Sequence, residues 1–317
     1  MEPQNRREFL LAAAAVPLAI PLFGQGRGAQ ATSPAATRGA PAAIGMFVCI
    51  HQASTARFDF KASCEGISKA GVRAVEVDIA KIQQFAQAES LPKAKQLLDD
   101  LGLRAVSASN HLGFVDASAA QFQGLMDQLK TKLEVVQAVG GDRIVCPSTL
   151  NREATPDDFK RGAENMVKGG ELAKTYGVSL MLEFAKTSRL ANSIQTALQI
   201  VREANHPNVR VMVDTFHFYG GVGKLEDLEL LRDGELAHLH FEDIPDGPRE
   251  PLNSQASRLF PGDGVAPLKR TIEILKRKGY SGPASLELFQ NTTPVAQNLD
   301  PFQLASRAKA AIEPLLA

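Results

Sequence analysis

The sequence predicts a single (β/α)8 barrel, an α/β fold, on three observations. Eight short apolar runs rich in β-branched residues alternate with helical patterns at the spacing of a βα unit. The segment IGMFVCIHQAS, around the first run, lacks the G-x-G-x-x-G loop that a doubly wound nucleotide-binding sheet would carry there. The 317 residues hold one barrel of about 250 residues plus an extension.

The runs lie at 44–50, 72–79, 103–108, 142–147, 178–184, 209–218, 236–241 and 283–289. Each is read as a strand buried on both faces, and so nearly continuously apolar. The leads KAGVRAVEVD, DLGLRAVSAS, AVGGDRIVCP and TYGVSLMLEF place a glycine turn between a helix and the run that follows. Residues 118–138 keep apolar positions at i, i+3, i+4 and i+7, and 191–204 and 266–278 do the same, so these are read as helices. Neither a repeat nor an internal boundary interrupts residues 44–317, which are read as one barrel domain.

The first residues read as an address. NRREFLL is followed by AAAAVPLAIPLF, and Ala29-Gln30-Ala31 supplies an A-x-A cleavage site. The pair Arg6-Arg7 with Phe9 and Leu10 at the expected offsets resembles a twin-arginine export signal over 1–31. An amphipathic first helix is the competing reading. Residues 32–43, rich in Ala, Pro, Thr and Ser, suit a linker. The address implies the twin-arginine export machinery as a partner and a periplasmic or extracytoplasmic location. No cysteine follows the apolar run, so no lipid anchor is expected. That machinery carries folded proteins, often with a cofactor already loaded, which motivates a search for a metal site.

Composition narrows the class. Lys plus Arg and Asp plus Glu are each 35, so the basic excess of a dedicated nucleic-acid binder is missing. Three cysteines make neither a disulfide framework nor a zinc finger. No apolar run reaches the length of an ordinary membrane helix.

Barrel chemistry sits at the C-terminal ends of the strands, and the polar residues cluster there. Five of the six histidines, His51, His111, His217, His238 and His240, lie in or just after runs, whereas His206 is read as a surface residue. Four strand ends carry hard-metal donors: Glu183 in LMLEF, Asp214 in VMVDTFHF, His240 in AHLHFED and Glu287 in SLELF. Three carboxylates converging in an apolar barrel would repel one another unless a cation joined them. Oxygen and nitrogen donors of this kind suit Mn2+, Mg2+, Co2+ or Zn2+. The competing reading is four unrelated ion pairs.

The order of these residues resembles the sugar phosphate isomerase/epimerase superfamily, the xylose isomerase-like TIM barrels. That pattern is a Glu on the fifth strand, D-x-x-H on the sixth, His on the seventh, then R-x-x-P-G-x-G, and Glu on the eighth. Here it reads Glu183, Asp214-Thr-Phe-His217, His240, Arg258-Leu-Phe-Pro261-Gly262-Asp263-Gly264 and Glu287. VDTFHFYGGV and RLFPGDGV look most like the inosose isomerase and ketose 3-epimerase branches. The resemblance implies one divalent ion, most often Mn2+, on Glu183, Asp214, His240 and Glu287. It makes Glu183 and Glu287 the acid/base pair of a metal-stabilised enediolate, with His217 and Arg258 as donors to substrate. The implied activity is isomerisation or epimerisation of an unphosphorylated ketose, ketopolyol or inosose. A 3-keto-glycoside lyase on the same site and a non-catalytic sugar-binding barrel are the alternatives. The family's zinc endonucleases gather more histidines and a basic face than this chain has. Homo-oligomers are common in such barrels.

Other residues are placed more loosely. His111 is read as a substrate-pocket wall residue, Arg249 as the second choice to Arg258, and His238 as support for His240 or core. Asp243 orients a ligand or caps the following loop, and Glu76 and His51 face either the barrel base or the pocket. Cys49 and Cys146 are read as small buried residues. Two departures from the family stand out. The fifth strand continues FAKTSRLANS, where many relatives place Pro or Asn soon after the Glu, and the chain has no tryptophan. Any sugar-stacking platform falls to Phe47, Phe114, Phe218, Phe260 or Tyr219, and no phosphate cradle is evident.

Overall fold

A computed structural model describes residues 45–109 and 111–317. The signal and linker readings over 1–43 lie outside the described residues. Eight parallel strands close into a barrel in chain order: β1 Phe47–His51, β2 Ala74–Val77, β3 Arg104–Ala108, β4 Arg143–Pro147, β5 Ser179–Glu183, β6 Val209–Asp214, β7 Leu236–His240 and β8 Pro283–Leu286. The helices around them are α1 Phe60–Lys69, α2 Ile79–Ala88, α3 Leu91–Asp100, α4 Ala119–Ala138, α5 Pro156–Thr175, α6 Ile194–Ala204, α7 Thr215–Tyr219, α8 Leu268–Arg277 and α9 Pro301–Leu316. No helix among the described residues is long and apolar enough to cross a membrane.

The three helical patterns read from the sequence become α4, α6 and α8. Capping side chains fix where helices start: Ser118 opens α4 in a capping box with Gln121, and Ser193 opens α6 with Thr196. The run 209–218 is the one that changes type. Its first part is β6, but residues from Thr215 on turn into α7 because the Asp214 carboxylate accepts the His217 amide at 2.8 Å and caps a helical turn.

Strand alternation divides the interior into two parts. Ile50, Val75, Ile144, Leu182, Val213, Leu239 and Leu286 face outward and share the large core under the helices. The alternate residues fill the barrel: Val145, Met181, Met212 and Ala237 form one cluster, and Cys49, Ala74 and Val106 another with Phe47. Continuing that inward parity toward the C-terminal ends leads from Cys49 to His51, Met181 to Glu183, Met212 to Asp214, His238 to His240 and Ser285 to Glu287. The apolar layers are thus the floor on which the polar ends stand.

Candidate metal and active site

Four side chains converge at the barrel's C-terminal end. Glu183, Asp214, His240 and Glu287 each offer a donor atom within 4.8 Å of the others. His240 Nδ1 lies 3.4 Å from Glu183 Oε1, 3.2 Å from Glu287 Oε2 and 3.6 Å from Asp214 Oδ2. All four residues are buried. The His240 Nε2 points the other way, 3.1 Å from Glu76 Oε2. An ionised carboxylate can only accept, so that bond puts a proton on Nε2 and turns Nδ1 toward three acidic groups.

Electrostatics separates the two glutamates. Burial pushes Glu183 up to about 7, against the pull of His240. Burial also acts on Glu287, but His240, Arg258 and His51 outweigh it and hold this carboxyl at about 2. Asp214 is likewise held well below the usual range, with Arg258 and His217 overcoming its burial. Burial alone would lower His240, yet the Glu287 and Glu76 carboxylates keep it well above an ordinary histidine.

Arg258 belongs to the site but sits deeper than a residue reaching over the mouth. Its guanidinium meets Asp214 Oδ2 at 2.9 Å, Glu242 Oε1 at 3.0 Å and Glu287 Oε2 at 3.1 Å. Its Nε donates to the Ser254 carbonyl, and the Phe216 and Phe289 rings flank it at 5.0 Å on each side. With 1% of its surface exposed, it neutralises carboxylates rather than offering a free donor at the rim. The loop that delivers it is clamped by Asp243, which accepts the amides of Gly262 and Gly264 on Oδ2 and those of Ile244 and Ala266 on Oδ1. Asp243 is therefore the loop cap, not a metal donor.

His217 stands at the cluster's edge. Its Nδ1 accepts the Lys186 amide at 3.3 Å, which leaves the proton on Nε2 as a donor. Burial lowers it to about 4 despite the pull of Asp214, so the ring is neutral at physiological pH. Arg249 is not in the cluster; its carbonyl accepts Lys186 Nζ at 2.6 Å.

Several expected placements are corrected. His111 is not brought to the cluster. Its ring packs on Phe114, neither ring nitrogen has a hydrogen-bond partner among the described residues, and burial lowers it to about 4. The Lys132 charge, from α4, adds to that lowering. His206 is buried and paired with Glu171 at 3.0 Å instead of lying on the surface. Of the proposed aromatic platforms, Phe114, Phe218, Phe260 and Tyr219 belong to the main core. Phe47 lies at the opposite end of the barrel under Arg104. All three cysteines are buried and unpaired.

Glu242 was missed. It is fully buried, accepts the Phe216 amide at 3.0 Å and shares Arg258 with Asp214. Burial and the Asp214 charge raise it well above an ordinary glutamate. Its signal was parity: residues 238, 240 and 242 alternate along one face.

A family model described as xylose isomerase-like TIM barrel matches residues 64–308. The chain belongs to this family. Inosose isomerase of Halalkalibacterium halodurans is 26% identical over 250 residues, covering 77% of this chain and 88% of that protein. A 3-dehydroshikimate dehydratase of Pseudomonas putida is 26% identical over 241 residues, 74% of this chain but 37% of that larger protein. Among solved structures, the IolI protein with a bound zinc atom superposes with a TM-score of 0.80 at 22% identity, covering 86% of this chain and 98% of that one, a likeness of fold.

The donor set in this xylose isomerase-like barrel fits a divalent cation. Three carboxylates and one imidazole present hard oxygen and borderline nitrogen donors to a shared point. The buried His240 Nδ1 has no hydrogen-bond partner among the described residues and faces the three carboxylates, so it is the nitrogen a cation there would take once its proton is displaced. Arg258 is the permanent positive charge against Asp214, Glu242 and Glu287.

Proposed function

We propose that this chain is a divalent-metal-dependent isomerase or epimerase of an unphosphorylated ketose, ketopolyol or inosose. The observation that carries the reading is the pair Glu183 and Glu287, from β5 and the end of β8, flanking His240 with their proton affinities driven apart. Two carboxyl groups with opposite protonation preferences are what a proton-out, proton-in reaction needs. Glu183, Asp214, His240 and Glu287 would hold the ion, with Mn2+ the preferred metal, and when bound it would supply Lewis-acid polarisation of a ketose or inosose carbonyl. Glu287, ionised, takes the proton from the carbon beside that carbonyl. Glu183, the second carboxyl of the pair, returns a proton to the other face or the next carbon. His217 donates from Nε2 to a substrate oxygen. Arg258 holds Asp214 and Glu287 in their charged forms and keeps their carboxylates oriented.

The dehydratase relative supports a second reading, a lyase that removes the same kind of proton beside a ketone and expels a leaving group, as from a 3-keto-glycoside. The test is deuterium wash-in by mass spectrometry, with Mn2+-loaded protein in D2O and a panel of free ketoses, inososes and 3-keto-glycosides. A one-mass-unit gain in intact sugar is expected. Uptake with release of an aglycone moves the assignment to the lyase, and metal-loaded protein that exchanges nothing moves it to a sugar-binding barrel.

Residues 1–31 complete the proposal as a twin-arginine signal that sends the folded, metal-loaded chain to the periplasm. Replacing Arg6 and Arg7 by Lys should leave the precursor in the cytoplasm, and normal export of that variant would overturn the address. Self-association is checked on the mature chain by light scattering.

A further inference from the structure

Glu76 is a buried carboxylate that the mechanism does not use. Glu76 projects from β2 with no exposed surface, and donors converge on a single oxygen, Oε2: His238 Nε2 at 2.7 Å, Ser285 Oγ at 2.9 Å and His240 Nε2 at 3.1 Å. These come from β7 and β8, across the barrel from Glu76. Its other oxygen, Oε1, faces His51 Nε2 at 3.7 Å. His51 Nδ1 accepts the Ala53 amide at 2.9 Å, so the His51 proton sits on Nε2, between Glu76 Oε1 and, at 3.6 Å, Glu287 Oε1.

The backbone is adapted to this layer. The β2–β3 register slips between Val75 and Glu76, and the β6–β7 register slips between Val211 and Met212, where Met212 pairs with His238. Irregularities of this kind re-aim side chains and recur beside functional sites. Here one lies at the acceptor and the other at one of its donors.

We propose that Glu76 is a positioning residue: it fixes the ring orientation and tautomer of His240, so that Nδ1 is presented to the cation and Nε2 is never the ligand. This rests on the metal-site reading above. A carboxylate that accepts from the far nitrogen of a ligating histidine orients the ring and raises its basicity, and loss of such a partner weakens metal binding by about 10–100-fold. His238 and Ser285 complete the acceptor's coordination and keep Glu76 from rotating away.

The test measures zinc affinity of the full chain by competition with a chromophoric chelator, which needs no substrate. Glu76→Gln should bind zinc about 10–100-fold more weakly, and Glu76→Asp, which keeps the charge but withdraws the oxygen, should lose less. In a double-mutant cycle with His240→Ala, Glu76→Gln should cause no further loss, because its effect passes through that ring. The imidazole 15N spectrum of the zinc-loaded wild type should show His240 with metal at Nδ1 and a hydrogen-bonded proton at Nε2, a proton signal that moves upfield in Glu76→Gln. Unchanged affinity in a folded Glu76 variant overturns the proposal, as does full additivity in the cycle. If Glu76→Gln fails to fold, the Asp variant decides alone, with unchanged affinity again refuting. The underlying metal reading fails separately, and only if wild type and Asp214→Ala bind zinc alike.

Discussion

Metal binding should be steeply pH-dependent, and the structure sets both sign and size. In the metal-free protein Glu183 is pushed up to about 7 and His240 is held well above its ordinary value, so both carry protons on the acid side of neutrality. A cation must displace those protons, and affinity therefore rises with pH. Between pH 6 and pH 8 the ionised fraction of Glu183 climbs from roughly 10% to roughly 90%, a gain of about tenfold in apparent affinity. His240, held well above an ordinary histidine, adds to the rise in the same direction. The gain across that window is therefore at least about tenfold, or about 1.4 kcal/mol. Asp214 and Glu287 are held low by Arg258 and His240 and contribute nothing in this range. Zinc competition at pH 6, 7 and 8 reads the slope, and calorimetry in two buffers of different ionisation enthalpy counts the protons released. Net proton release on zinc binding is expected near neutrality. A flat affinity, or no proton release, would show that the cluster is already deprotonated and that the cation does not replace a proton at His240.

Three further outcomes follow from particular contacts. Glu287→Gln should remove the permanently ionised base and one donor, cutting turnover by at least about 10³-fold with the circular dichroism unchanged, on the scale of losing a general base and its charge together; retained α-proton exchange takes Glu287 out of the acid/base pair. Arg258→Lys should cost about 100-fold in kcat/KM, because an ammonium cannot serve Asp214, Glu242 and Glu287 from one plane or stack between Phe216 and Phe289; a wild-type rate would mean that only the charge matters. Gly66→Ala should destabilise without touching the chemistry, since the new Cβ would lie 2.5 Å from Pro301 Cβ and 2.8 Å from the Phe302 nitrogen where α1 meets α9. Overpacking of this kind costs about 1–3 kcal/mol, so the melting temperature should fall by several degrees while kcat holds.

The strand ends were legible because barrel geometry makes them so. Residue parity put Glu183 above Met181 and Asp214 above Met212, and an acidic residue in an apolar run has few reasons to be there. What local patterning could not reach was side-chain depth. VMVDTFHFYGG is apolar and aromatic throughout and reads as one strand until the Asp214 cap is seen to start α7. The depth of Arg258 was hidden because its flanking rings, Phe216 and Phe289, come from distant segments. His111 shares the strand-end position of true site residues, yet its ring turns against Phe114 instead of inward. Glu76 was left between base and pocket because only the closed barrel brings it under His240.

The R-x-x-P-G-x-G segment gains a physical reading from these contacts. Asp243 follows His240 by three residues, so a carboxylate just past a candidate ligand collects the amides of both motif glycines, Gly262 and Gly264, together with those of Ile244 and Ala266. Gly262 takes a φ of +90°, open to glycine at little cost. Gly264 has no room for a Cβ beside the Ile244 carbonyl and the Asp243 carboxylate. Leu259 pairs with Asp243 as an isolated antiparallel bridge, which fixes the residue next to Arg258. The motif is thus a backbone clamp whose product is one buried guanidinium at a set height above Asp214 and Glu287. It follows that the clamp and the carboxylates act as one unit. Loosening Asp243 should raise the proton affinity of Asp214 and Glu287 by letting their counter-charge withdraw, and this would appear as an acid limb of the pH–rate profile moved toward neutrality. An unshifted limb in Asp243→Asn would mean that Arg258 is held by its rings and carboxylates alone.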